Sequence, residues 1–357
     1  MLALGGLVPS GRQRRGLLAP AFVLALVVAV ALAGPATADP PSHVPGGPCI
    51  ENEQQVKLSS LPSYAQVVSI LDSIQASSQG EVEVASAGLS GEGRELLYAT
   101  VGDGPDIFWL QARIHGNELH STEAVLQVLK FLASSGSSEA TQIREQLTVI
   151  VIPMYNPDGA TANIRQSTTP NRIDLNRDWE DFRQPESRAW YELWETMRPR
   201  LALDLHHMGQ SPVVEGTNQL NTFQIGARSI DPSRMTAEQW LTNRQMALIS
   251  TAAVSRLGTG NVARYPLIDI TNAVISRMLL GGPGPDGSDP GFETQGAIFY
   301  EVRSVGQKSN GMLEQLFVRP TMAVLNAAAD GSLYEHPGTG WEDIPFGDGE
   351  PCGGGPG

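Results

Sequence analysis

Residues 112–124 read ARIHGNELHSTEA and hold two His-x-x-Glu pairs, His115/Glu118 and His120/Glu123. An imidazole and a carboxylate at that spacing can share one zinc ion. The settings of the two pairs differ. His115 follows the apolar run FWLQARI, which reads as a strand, and Glu118 opens the next helix. Ligands at a strand end and on the turn after it can converge on one ion. His120 and Glu123 both fall inside the helix, where a polar face or a supporting role is expected of them. Of the six histidines in the chain, four lie here or in LALDLHHMG. That second stretch reads as a strand running into His206 and His207. Alternation sets Asp204 and His206 on one face and His207 on the other. A hydrolytic zinc usually takes three protein ligands and keeps one position for water, so this strand end is the expected source of the third. The helical HExxH pattern is absent.

Elements able to hold such residues alternate along the chain. LPSYAQVVSILDSIQ, the stretch from Glu118 to Leu132, SRAWYELWETM, TAEQWLTNRQMALISTAAVSRL and MLEQLFVRPTMAVLNAAA carry helical spacing. EVEVAS, RELLYATVG, PDIFWLQARI, LTVIVIPM, LALDL and GAIFYEV read as strands. This alternation predicts an α/β fold, a three-layer α/β/α sandwich with a mixed, mostly parallel central sheet, over residues 57–331. Functional residues in such sheets gather at strand ends. GGPGPDGSDPG, residues 281–291, reads as a loop. Residues 332–357 form a Gly/Pro-rich tail expected to wrap the surface.

Composition narrows the function further. The chain has 357 residues and a formal net charge of −14, a poor match to nucleic acid or to an anionic membrane. Residues 1–38 combine a basic start, the apolar core LLAPAFVLALVVAVALA and an Ala-Thr-Ala cleavage site. They are expected to be a signal peptide, giving a secreted, extracellular protein with no membrane attachment after cleavage. Residues 39–56 are a polar lead-in. Cys49 and Cys352 sit in Gly/Pro-rich terminal segments, and in an exported chain a disulfide between them is expected. Closing so long a loop stabilises by roughly 4–5 kcal/mol in the chain-entropy model.

Taken in order, these motifs resemble the zinc carboxypeptidases, the M14 metallopeptidase family. LSGEGRELLYATVG at 89–102 is similar to the family's early S-x-E-G-R segment. His115-Gly116-Asn117-Glu118, Asn156-Pro157-Asp158-Gly159, Asp174-Leu175-Asn176-Arg177, Asp204-Leu205-His206 and Phe299-Tyr300-Glu301-Val302-Arg303 match its later motifs. The resemblance covers roughly residues 57–330. It implies one zinc ion on His115, Glu118 and His206, with Glu301 as general base. It implies Asn176 and Arg177 as the grip on a terminal carboxylate, and Asp174 as the carboxylate that orients the first histidine. The oxyanion-stabilising arginine would be Arg165, with Arg172 as the alternative. The implied activity is removal of the C-terminal residue from peptides with a free carboxylate, by a monomeric enzyme. A zinc amidase acting on cell-wall peptides or acylated amino acids is an alternative, as is a non-catalytic binding protein on the same scaffold. Two features depart from the pattern. The family's loop tyrosine, about twenty residues before the catalytic glutamate, has no counterpart before Tyr300. The specificity residue is also open: Asp286 and Asp289 either receive a basic side chain or are simply solvated.

Overall fold

The computed structural model describes residues 61–208, 212–217, 221–258, 261–267, 269–303 and 309–351. The expected signal peptide, the lead-in and both cysteines, Cys49 and Cys352, lie outside these residues. The chain opens with α1 (Tyr64–Ser77), β1 (Val82–Leu89), β2 (Glu95–Val101), β3 (Asp106–Ala112), α2 (His120–Ser134), α3 (Ser138–Gln146) and β4 (Leu147–Ile152). It continues with α4 (Pro157–Ala162), α5 (Pro185–Met197), β5 (Leu201–Met208), β6 (Pro212–Val214), β7 (Phe223–Gly226), α6 (Ala237–Ser255) and β8 (Val262–Arg264). It closes with α7 (Val274–Leu280), β9 (Gly296–Arg303), α8 (Asn310–Asp330), α9 (Ser332–Glu335) and β10 (Gly347–Pro351).

Eight strands form one sheet in the order β1-β2-β4-β3-β5-β9-β7-β8. Its four central strands, β4, β3, β5 and β9, are parallel. The β1/β2, β2/β4 and β7/β9 pairs are antiparallel, so the sheet is mixed, as expected. Alternate residues of the central strands feed two separate cores. Phe108, Leu110, Val149, Val151, Leu203 and Leu205 meet α2, α6 and α8 on one face. Trp109, Ile150, Ile152 and Ala202 meet Trp190 and Trp194 of α5 and Met278 of α7 on the other. Every residue of β5 is buried, because both faces of the central strand are covered.

Local chemistry sets several boundaries. Ser63 and Gln66 close a capping box on α1, and Thr236 and Gln239 close one on α6. Asn156 caps α4 by accepting the Gly159 N–H at 2.8 Å. Two details differ from the sequence reading. Helix α2 begins at His120, so Glu118 sits in the turn before it. The segment after residue 331 does not merely skirt the surface: Leu333, Trp341 and Ile344 are buried in the core beneath α6 and α8. Farther on, β10 pairs with β6, and Arg264 at the end of β8 is held by Glu342 and by the Phe346 ring, 3.9 Å from its guanidinium carbon. Among the described residues no helix is long and apolar enough to cross a membrane.

Candidate metal and hydrolytic site

The loop between β3 and α2 carries His115 and Glu118, and it is braced from beneath. Tyr155 and Asn156 donate backbone N–H groups to Ala112 and Arg113, and Asn156 Nδ2 donates to the Ile114 carbonyl at 3.2 Å. Gly116 packs so closely on α4 that a Cβ there would lie 2.0 Å from the Gly159 carbonyl carbon. Asp158 in turn accepts from Ser90 Oγ, the Glu92 N–H and Arg94 Nη1, at 2.7, 2.8 and 2.7 Å. The NPDG and S-x-E-G-R segments therefore act as one scaffold under the first two candidate ligands.

Strand β5 delivers His206 from the neighbouring position. His115 Nδ1 lies 2.6 Å from Glu118 Oε1, His206 Nδ1 lies 3.0 Å from Glu118 Oε2, and the two Nδ1 atoms are 3.2 Å apart. The distal nitrogens are tied to carboxylates: His115 Nε2 to Asp174 at 3.1 Å and His206 Nε2 to Asp204 at 2.7 Å. Those carboxylates hold Nε2 of each ring and turn Nδ1 towards Glu118, the arrangement in which Nδ1 of a neutral imidazole can bind a metal. The three residues, all buried, are also the one group among the described residues able to hold a metal ion. The donor set suits zinc, which accepts imidazole and carboxylate oxygen. Burial works against charge on Glu118, but the two imidazoles outweigh it and hold its carboxyl below the usual range. Burial likewise opposes charge on both histidines, and the surrounding carboxylates raise them regardless.

The remaining candidates flank this centre. Glu301 on β9 is in register with His206 on β5, and residues paired in this way project to the same face. Burial pushes its carboxyl up to about 7, against the opposing influence of His206. Asp174 caps the short turn Leu175–Arg177 by accepting the Asn176 N–H at 2.9 Å. Burial opposes its charge, but His115, Arg165 and Arg177 hold its carboxyl low. Asn176 Oδ1 accepts the Val274 N–H that opens α7, at 2.9 Å, and its Nδ2 lies 3.4 Å from His206 Nε2. Arg177 Nη1 donates to the Asn176 carbonyl at 2.6 Å. Arg165 reaches Asp174 through Nε at 3.1 Å and Nη2 at 3.0 Å, with Nη1 3.7 Å from Glu118. Arg172 is exposed.

Other charged residues raised by the sequence lie elsewhere. His120 and His207 pack with ring centroids 5.2 Å apart and tilted by 47° on the side of the sheet covered by α8, where His207 also meets Phe317. Glu123 faces Glu314 of α8. Asp286 and Asp289 are exposed and accept the N–H groups of Ser288 and Gly291. Their loop is pinned near the start of β5, at the opposite strand end from His206, by Arg198 donating to the Pro290 carbonyl at 2.8 Å.

One site residue escaped the sequence reading. Tyr265 follows directly on β8, and its ring packs 4.9 Å from Phe299, which is edge-on to His206 at 6.1 Å. Burial pushes its phenol up to about 12, with Glu301 raising it further and Arg177 and Arg165 opposing. A tyrosine at a strand end was the available signal. Its distance along the chain from Glu301 concealed it.

Residues 67–219 match the family model described as zinc carboxypeptidase, and with the ordered motifs this places that stretch in the M14 zinc carboxypeptidase family. Carboxypeptidase 2 of Trichophyton rubrum is 34% identical over 217 residues, covering 61% of this chain and 39% of that protein. The chain thus spans less than half the length of such curated relatives. Among solved structures, a metallo-carboxypeptidase from Burkholderia cenocepacia is similar at a TM-score of 0.59 and 17% identity, covering 76% of this chain and 70% of that one. Carboxypeptidase A from Helicoverpa armigera is similar at a TM-score of 0.56 and 16% identity, covering 82% and 77%. At those identities the structures bear on the fold alone.

Proposed function

We propose that this chain is a secreted zinc-dependent metallocarboxypeptidase that hydrolyses the C-terminal bond of peptides. The observation that carries the reading is the convergence of His115 Nδ1, His206 Nδ1 and the Glu118 carboxylate, with Glu301 alongside. One zinc ion held by these three would polarise the scissile carbonyl and lower the pKa of its water to about 7. Glu301 takes the proton from the attacking water and passes it to the departing amine. A carboxyl raised by burial to about 7 suits a group that must accept and return a proton near neutrality. Arg177 forms a two-pronged pair with the terminal carboxylate. Asn176 adds its Nδ2 donor, because its Oδ1 is already committed to Val274. Arg165, with a side chain 42% exposed beside Glu118, faces the oxyanion. Tyr265 closes over the substrate from the end of β8, the place that the resemblance leaves empty in the loop before Glu301. Export and a Cys49–Cys352 disulfide belong to the same proposal, on the strength of the basic and apolar N-terminal residues and the paired terminal cysteines. The test is metal analysis of the purified chain alongside release of C-terminal residues. One zinc per chain, and activity lost on chelation and restored by zinc, are expected. Full activity in demonstrably zinc-free protein overturns the reading.

A further inference from the structure

Arg113 stands two residues before His115 and has no part in the chemistry above. Its side chain is buried, with the residue 4% exposed. Of its donors, Nε donates to the Gly116 carbonyl at 3.0 Å, while Nη1 is buried without a hydrogen-bond partner among the described residues. It forms no ion pair among the described residues. Its backbone is left-handed at φ 58°, a conformation that is strained in a non-glycine residue. An unpaired buried guanidinium is costly to the fold. Glu123 acts on it electrostatically and favours its charged form, without forming an ion pair with it among the described residues. Burial and the neighbouring Glu314 push the Glu123 carboxyl up to about 8, against the opposing influence of Arg113.

Arg113 lines a cavity of about 410 Å³ between the start of α1 and α4. That volume falls within the range of roughly 300–1,000 Å³ typical of small-molecule sites. Leu119, Met154 and Ala160 supply apolar walls, and among the described residues no acidic one lines the cavity. Arg94, the other guanidinium there, is already paired with Glu92 and Asp158. One unmatched cation against apolar walls selects a single negative charge on a short hydrocarbon body. With no acidic residue among the described ones to receive an ammonium group, a plain carboxylate fits better than a free amino acid. We propose that this cavity is a binding site for a small organic monocarboxylate, separate from the hydrolytic site and anchored by Arg113. Because Arg113 Nε holds the Gly116 carbonyl, occupancy bears on the loop that presents His115 and Glu118.

Calorimetric titration of the zinc-loaded full chain with sodium isovalerate, and with isovaleramide as the neutral counterpart, tests this. Saturable binding of isovalerate and not of isovaleramide is expected. Arg113→Met is expected to weaken it at least about tenfold by removing the charged hydrogen-bond partner. Thr161→Trp crowds the cavity from an exposed position on α4, away from the metal loop, and is expected to do the same in a protein with unchanged circular dichroism. Absence of saturable binding overturns the proposal, as does equal binding of the amide. Binding retained in Thr161→Trp but lost in Arg177→Met would place the anion at the hydrolytic site and also overturn it. So would an experimental structure with a carboxylate from residues 39–60 seated on Arg113.

Discussion

At the scale of single residues, the site is governed by which nitrogen of each histidine is committed elsewhere. Asp174 and Asp204 hydrogen-bond the two Nε2 atoms and leave both Nδ1 atoms facing Glu118. Glu301 lies beside this centre without being one of its three donors. Metal binding and proton transfer therefore fall to different residues. Glu301→Gln is expected to lower kcat by about 10²–10⁴ while zinc content stays at the parent level. Steady-state kinetics with metal analysis on the same sample would check it, and loss of zinc in the variant would count against the assignment. Residue type and spacing made His115, Glu118 and His206 legible in the sequence, because few side chains bind zinc and strand ends bring them together. Tyr265 was not legible, since only tertiary pairing of β8 with β7 places it against Phe299. The burial of His120 and Glu123 against α8 was hidden for the same reason.

At the scale of elements, the metal loop depends on backbone-to-backbone contact with α4. A Cβ on Gly116 would fall 2.0 Å from the Gly159 carbonyl carbon and 2.3 Å from the Ala160 nitrogen. Neither atom can swing away as a side chain can. Gly116→Ala is expected to cost roughly 1–3 kcal/mol or more by overpacking, and to weaken zinc retention because His115 and Glu118 move with the loop. Gly136→Ala is the control, since a Cβ there meets nothing within 4 Å. Thermal melts and chelator competition on both variants would test this, and equal behaviour would contradict it. The long strands and helices announced themselves through apolar runs and helical spacing. Strands β6, β7 and β8 have only three or four residues. Their pairing comes from distant partners, so local pattern carried no trace of it. The segment after residue 331 was read as a surface tail because glycine and proline dominate it, yet its few large apolar residues, Leu333, Trp341 and Ile344, fasten it to the core.

At the scale of the whole molecule, the parallel centre of the sheet was legible from the alternation of helices and strands, while the order of strands was not. Global stability carries a signature of a buried acid that is not one of the candidate metal ligands. Burial pushes the Glu186 carboxyl up to about 7, with Asp158 and Asp178 adding, despite the opposing N–H of Gly91. Unfolding returns it towards 4.5. Between those values the folded state holds a proton that the unfolded state has released, so this group's contribution to stability falls as pH rises through that window and then levels off. Glu186→Gln removes the slope. It is expected to gain on the order of 1–3 kcal/mol relative to the parent between about pH 4 and pH 8. Denaturant melts at both pH values would show this, and a constant difference would refute it.

The central claim is zinc-dependent removal of C-terminal residues, and one peptide panel addresses it directly. Half the peptides carry free C-termini and half are amidated, each incubated with the purified chain with and without a zinc chelator and followed by mass spectrometry. The account predicts stepwise loss of single C-terminal residues, from free ends only, and abolished by the chelator. Trimming of amidated ends, trimming that survives chelation, or intact peptides with zinc demonstrably bound would contradict it.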